Sequence, residues 1–258
     1  SNEDSYNVAV GFAALEADTT GKNNTAVGGN ALLVNTTGSS NTAIGTGALD
    51  ANTTASFNTA MGHSALTTNT TGTGHVAIGY AALRDNTTAN NNTALGNNCM
   101  PANTTGAGNT AVGNSSMNVN TTGSNNTAVG YLALVANTTA NDNTAVGKNC
   151  LDSATTGSAN TAVGSFSLSS ITDGDSCTAV GYSALQQATG VGNTALGRDA
   201  LNACTSGNLN VAIGAYCLDA NTVGDRNVAI GMNALTTYNP SSNEDSYHVA
   251  VGHAAMES

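Results

Sequence analysis

The stretch Asn24-Thr25-Ala26-Val27-Gly28 decides the fold, because the same pentad returns along the whole chain. Each copy consists of Asn, Thr or Val, Ala, a larger apolar residue and Gly. In three copies His or Cys replaces the Asn. Fifteen copies close at Gly11, Gly28, Gly45, Gly62, Gly79, Gly96, Gly113, Gly130, Gly147, Gly164, Gly181, Gly197, Gly214, Gly231 and Gly252. Twelve of the fourteen intervals are 17 residues, one is 16 and one is 21. The pattern predicts a single repeat array over residues 1–258.

The 17-residue period predicts β-structure, since helical repeats run at about 33 to 47 residues. Alternation within the pentad is typical of a strand. Ala-Leu or a close variant follows each glycine by three and four residues, and Asn-Thr-Thr, a turn sequence, follows in seven coils. We therefore expect an all-β parallel solenoid or β-roll of about fifteen coils, each built as strand, turn, strand, turn. Glycine permits the first turn, so the predicted structural glycines are Gly28, Gly45, Gly62, Gly79, Gly96, Gly113, Gly130 and Gly147.

The composition excludes several classes of protein. The 258 residues include 37 Asn and 38 Thr but only 8% charged residues, about a third of the usual share. With 5 Lys and Arg against 16 Asp and Glu, the chain cannot neutralise a run of phosphates, so nucleic acid is not an expected partner. No window approaches the roughly 20 apolar residues of a membrane span, so we expect no membrane insertion within this chain.

The motif has a known resemblance that covers the whole chain. Asn-Thr-Ala-Val-Gly followed by Ala-Leu resembles the repeats in YadA-like heads of trimeric autotransporter adhesins, and similar repeats occur in phage tail-fibre-like proteins. The resemblance implies a left-handed parallel β-roll, a homotrimer, and surface adhesion outside the cell. It also implies that Val27, Ile44 and Val112 fill the roll interior. Because the repeat is longer than the family's usual one, a single-chain solenoid stays open as an alternative.

A longer repeat overlies the short one. Residues 1–16 return at 242–257 with 13 identities in 16 positions, an offset of 241 residues that equals fourteen coils. We expect the chain to be a section of a longer array.

Three tyrosines are the candidate surface contacts. Tyr80, Tyr131 and Tyr182 all directly follow a pentad glycine, at a position where Gly, Lys and Arg also occur, which indicates an outward side chain. Exposed aromatic rings on a mostly uncharged surface suit contact with a sugar or a protein. A host glycan or surface protein is the corresponding candidate partner.

Asparagine sequons are a second candidate feature, for glycosylation. Seven Asn-Thr-Thr turns satisfy the acceptor pattern, at Asn35, Asn52, Asn69, Asn86, Asn103, Asn120 and Asn137. Asn23, Asn91 and Asn125 satisfy it as well. We favour the alternative interpretation, in which the stacked amides bond to the coil above as a ladder.

The cysteines, histidines and carboxylates do not indicate a catalytic or metal-binding site. Cys99, Cys150 and Cys217 take the alanine place of Ala-Leu, which predicts small, buried, unreactive thiols. The four histidines are expected to be solvated and recur with no Ser or Asp partner of the kind that nucleophilic catalysis needs. The calcium-binding Gly-Gly-x-Gly-x-Asp repeat is absent from the sequence. No enzyme activity, catalytic residue, metal or cofactor is predicted.

The sequence thus favours a structural and adhesive rod segment of an extracellular fibre, on a bacterial surface or a phage particle. The first alternative is a single-chain solenoid, with or without glycosylation, that self-assembles end to end into an extracellular filament. Ice binding by stacked threonines is disfavoured, because neighbours such as Thr36 and Thr37 point to opposite faces of a regular strand.

Overall fold

The computed structural model describes residues 5–242 and 245–256. The longer repeat relates residues 1–16 to residues 242–257, and residues 1–4, 243, 244 and 257 of these segments lie outside the described part. The described chain is an all-β parallel solenoid of about 14 turns with roughly 17 residues per turn and contains no helix. Its fifteen strands are the middle three residues of the pentads: β1 (Val8–Val10), β2 (Thr25–Val27), β3 (Thr42–Ile44), β4 (Thr59–Met61), β5 (Val76–Ile78), β6 (Thr93–Leu95), β7 (Thr110–Val112), β8 (Thr127–Val129), β9 (Thr144–Val146), β10 (Thr161–Val163), β11 (Thr178–Val180), β12 (Thr194–Leu196), β13 (Val211–Ile213), β14 (Val228–Ile230) and β15 (Val249–Val251).

The strands belong to two compact units, Ser1–Asn126 and Thr127–Ser258. In the first unit β1 to β7 pair consecutively and in parallel. In the second unit β8 to β15 do the same. The register places each residue on its counterpart one coil away, as Ala26 on Ala43, so the predicted stacking of like residues is confirmed within each unit.

The inward face of the strands carries alanine. Ala26 is fully buried, whereas Val27 on the opposite face is only partly covered. The expectation that Val27, Ile44 and Val112 fill the interior is therefore wrong. A three-residue strand points its middle side chain one way and its two outer side chains the other, and alanine is small enough for the narrow interior.

The larger core side chain comes from the Ala-Leu segment, which is a turn and not the second strand that we expected. Leu32 has a left-handed backbone (φ 50°) and is fully buried. Its amide donates to the carbonyl of Ala48 in the next coil (3.0 Å). The left-handed conformation costs about 1–2 kcal/mol, and burial of a leucine side chain offsets it by about 1.5–3 kcal/mol.

The pentad glycine turns the chain directly after each strand. Gly45 has φ 131°, and a Cβ on it would lie 2.5 Å from the carbonyl oxygen of Gly62 in the next coil. Both the positive φ and the close approach of two backbones exclude a side chain here. The same conformation recurs at Gly28, Gly62, Gly79, Gly96, Gly113, Gly130 and Gly147.

Candidate functional site

The outer face of the strands is a regular apolar and threonine surface. The first and third residues of each strand point outward, as the partial exposure of Thr42 and Ile44 around the buried Ala43 indicates. Between the terminal coils, the most exposed members of the third column are Met61 and Leu95 in the first unit and Val163, Leu196 and Ile230 in the second. Because apolar residues repeat here on every coil, each unit presents a contiguous patch of the kind that marks a protein contact.

Two columns of asparagines line the interior and satisfy one another. The Asn52 amide donates from Nδ2 to Asn35 Oδ1 (2.8 Å) and to the Ala55 carbonyl (3.1 Å). In the other column, Asn41 donates from Nδ2 to the same carbonyl (2.9 Å) and accepts from the backbone amide of Asn58 (3.0 Å). Buried amides are stable only when bonded in this way, so the columns are structural ladders.

The candidate glycosylation residues form the first of these ladders, the column that contains Asn35 and Asn52. All seven are fully buried: Asn35, Asn52, Asn69, Asn86, Asn103, Asn120 and Asn137. The Nδ2 atom that would carry a glycan instead donates hydrogen bonds inside the coil, as Asn103 does to Gly106 (2.9 Å). The folded solenoid has no room for a sugar at these atoms. Asn23, Asn91 and Asn125 are exposed sequons in the turn before a strand.

The three candidate tyrosines lie at the turn that follows a strand, and each ring is about half exposed. Tyr80 stacks on His63 of the preceding coil, with 5.6 Å between ring centroids. Tyr182 meets Phe166 edge to face at 6.1 Å. The sequence analysis did not predict the ring contact between Tyr182 and Phe166, which are 16 residues apart. Nor did it predict that Lys148 and Arg198 lie beside Phe166 and Tyr216, each 18 residues further along the chain.

The five cysteines are free and buried. Burial raises the pKa of Cys99, Cys150 and Cys204 to about 12 and that of Cys217 to about 11. The Cys99 thiol donates to the Ala111 carbonyl (3.1 Å). Since the thiolate is the reactive form, these side chains are unreactive packing groups. Across residues 5–242 and 245–256, no group of three or more His, Cys, Asp or Glu could hold a metal ion.

Two histidines depart from the expected solvated state. His248 is partly buried, with its ring centroid 4.6 Å from that of Tyr238, and His75 departs further. His75 replaces a ladder asparagine and is fully buried. Its Nε2 donates to the Ala89 carbonyl (2.7 Å), and its Nδ1 accepts from the Asn92 amide (3.2 Å). Burial lowers its pKa, so the neutral ring is the form that the ladder accommodates. The expectation failed because position one of the pentad faces inward.

Comparison with known proteins returned no match, either to a family model or to a curated protein. No helix within the described residues is long and apolar enough to cross a membrane. The functional interpretation therefore depends on the surfaces of the fold itself, among them the outer strand face.

Proposed function

We propose that the protein is a structural and adhesive rod segment of an extracellular fibre, on a bacterial surface or in a phage tail fibre, and that it is not an enzyme. The observation that carries this proposal is the outward apolar column repeated on every coil. A repeated surface supports repeated, identical contacts along a fibre. The resemblance to YadA-like adhesin heads, noted from the pentad, supports the same interpretation.

In this proposal the outer strand face is the assembly surface. Three chains in left-handed coils associate side by side through the columns that contain Ile44 and Leu95 in one unit and Leu196 in the other. Association removes these partly exposed side chains from water, which stabilises by about 25 cal/mol per Å² of apolar area. The gain is small for one coil and accumulates along the array, as in other repeat proteins.

Light scattering on the whole chain tests the assembly. We expect three times the chain mass of 25.3 kDa, and we expect Leu95→Lys combined with Leu196→Lys to give monomers, because both charges then lie in the buried face. Thr37→Lys is the matched control, since Thr37 is exposed on a turn away from the strands. A monomeric wild-type chain contradicts the trimer.

The 241-residue super-repeat favours a second candidate function, a single-chain solenoid that self-assembles end to end into an extracellular filament. A monomeric mass at low concentration together with unbranched filaments in electron micrographs at high concentration is the result expected of it. In either case the partners are copies of this chain and, at the outer surface, a host glycan or surface protein.

A further inference from the structure

The few cations of this acidic chain are placed against aromatic rings. The chain has 5 Lys and Arg, and three of them lie in the second unit. Their ring contacts are Lys148 Nζ at 5.7 Å from the Phe166 centroid, Arg198 Cζ at 5.5 Å from Tyr216, and Arg226 Cζ at 6.0 Å from Tyr247. Arg226 lies on a different turn and also pairs with Asp245. The other two pairs share the turn that follows the strands.

Backbone hydrogen bonds between coils fix this pairing. The Phe166 amide donates to the Lys148 carbonyl (3.0 Å), and the Tyr216 amide donates to the Arg198 carbonyl in the same way (3.0 Å). The first residue after a pentad glycine is thereby held beside the second residue after the next glycine. Each cation is therefore held beside its ring by the register of the coils.

Tyr182 joins the two pairs into one line. Its ring meets Phe166 edge to face at 6.1 Å, and its carbonyl accepts from the amide of Asp199 (2.9 Å), the residue after Arg198. We name Lys148, Phe166, Tyr182, Arg198 and Tyr216 the basic-aromatic ridge. It spans five successive coils, or about 19 Å at the spacing of neighbouring strands.

The charges around the ridge leave one cation available. Arg198 pairs with Asp199 (3.0 Å), so its charge is partly neutralised. Asp152, four residues after Lys148 in the same coil, accepts a hydrogen bond from Asn149 Nδ2 (3.0 Å). Among residues 5–242 and 245–256, no carboxylate lies within ion-pair distance of the exposed Lys148 ammonium. Lys148 can therefore receive an external anion.

We propose that the basic-aromatic ridge binds a linear polysaccharide whose sugars carry carboxylates. The C–H faces of sugar rings pack on aromatic rings such as that of Tyr182, and the ammonium of Lys148 pairs with a sugar carboxylate through charge-assisted hydrogen bonds. A line of rings and cations with a fixed axial spacing matches a polymer of regularly repeated rings better than a peptide of varied side chains. The inference rests on the proposed adhesive function, for which it supplies a ligand class.

Isothermal titration calorimetry of the full chain with polygalacturonate at about 0.15 M salt tests this site. At this salt the Debye length of about 8 Å screens the repulsion between the polymer and the distant carboxylates of this acidic chain, and we expect saturable binding through the direct contact with Lys148. Lys148→Gln and Tyr182→Ala are each expected to weaken binding by about fivefold, the effect of one exposed cation–π or ion-pair contact. Lys148→Arg keeps the charge and is expected to retain binding.

Two matched variants control for general surface effects. Tyr80→Ala removes a tyrosine of equal exposure at the same turn position in the first unit, and Arg84→Gln removes a cation that pairs with Asp85. Both are expected to bind like wild type. Thermal melts show whether each variant is folded.

Several results overturn the ridge assignment: no saturable binding of polygalacturonate, equal binding of the neutral glucan dextran, displacement by polyglutamate at equal affinity, or ridge variants that match the controls. Polyglutamate displacement identifies an acidic peptide as the ligand instead. A trimer that still adheres to cells while ridge variants match the controls leaves the proposed function intact and removes only the ridge. Monomers that bind polygalacturonate through the ridge remove the trimeric fibre and leave the ridge.

Discussion

The two units differ in part of one inner column. In the first unit the column carries buried amides, at Asn35, Asn52, Asn69, Asn86, Asn103 and Asn120. In the second unit Asn137 and Asn221 keep the amide, but the four successive coils between them carry Ala154, Ile171, Ala188 and Cys204, which are also fully buried. The fold thus accepts either a hydrogen-bonded column or an apolar one.

The difference indicates that the members of a column do not contribute independently to stability. An amide in the ladder is satisfied by the amides above and below it, whereas the apolar column needs only packing. Leaving one partner of a buried hydrogen bond unsatisfied costs more than replacing both by apolar groups. We therefore expect a single exchange within a run of like residues to be costly.

The largest effect is expected where the two units do not differ. Gly45→Ala in the first unit and Gly147→Ala in the second place a Cβ 2.5 and 2.6 Å from a backbone oxygen of the next coil, at φ values of 131° and 142°. We expect each to destabilise by about 4 kcal/mol in urea unfolding followed by circular dichroism. Gly29→Ala is the control, because a Cβ there meets nothing within 4 Å. Unequal losses in the two units would contradict a shared glycine column.

The next largest effect breaks the polar column. Asn69 donates to Asn52 Oδ1 (3.3 Å) and to the Gly72 carbonyl (2.9 Å), and accepts from Asn86 (2.9 Å). Asn69→Ala is expected to cost about 3 kcal/mol, because three buried hydrogen bonds are lost and Asn52 Oδ1 is left without a donor. Thr71→Ala, at an exposed turn position two residues away, is the control. A loss no larger than the control's would show that the ladder does not contribute to stability.

The reverse change places an amide in the apolar column. Ala188→Asn is expected to destabilise by about 2 kcal/mol, since the buried amide lies between apolar neighbours. Adding Cys204→Asn supplies a partner in the next coil, so a double-mutant cycle should show a favourable coupling of about 1 kcal/mol. Strictly additive losses would contradict the idea that the members of a column do not contribute independently.

The smallest effect on stability is expected at His75. This residue replaces an asparagine in the other ladder of the first unit, the column that contains Asn41 and Asn58. Burial lowers its folded-state pKa below 6.5, so the unfolded chain binds a proton more readily than the folded chain. The contribution of His75 to stability is therefore complete above about pH 6.5 and is lost progressively as the pH decreases below it, because protons then favour the unfolded chain. His75→Asn restores an amide, and comparing the urea midpoints of both proteins at pH 7.5 and 5 isolates this contribution. An equal pH dependence in both proteins would contradict it.

The sequence repeat was sufficient to predict the class of fold. The features that it did not predict depend on local backbone geometry. The pentad period predicted parallel stacking and the place of each turn. It did not predict which face of the strand points inward. The alternation is equally compatible with Val27 in the interior and with Ala26 in the interior. The leucines were assigned to a strand because a left-handed leucine is rare, and only the stacked coil supplies the burial that offsets its cost. The contact of Tyr182 with Phe166 was missed because their spacing of 16 residues is one less than the period, Phe166 being the second residue after its pentad glycine and Tyr182 the first.

The hydrogen bonds that join the coils have a mechanical consequence. Within each unit they run along the stacking direction, as between the Thr42 amide and the Asn58 carbonyl. Tension along that direction loads the outermost coil first, so bonds open one coil at a time instead of together. Each released coil of 17 residues lengthens the chain by up to about 60 Å. Under pulling, each unit is thus expected to extend in uniform steps and absorb work gradually before the chain is fully stretched.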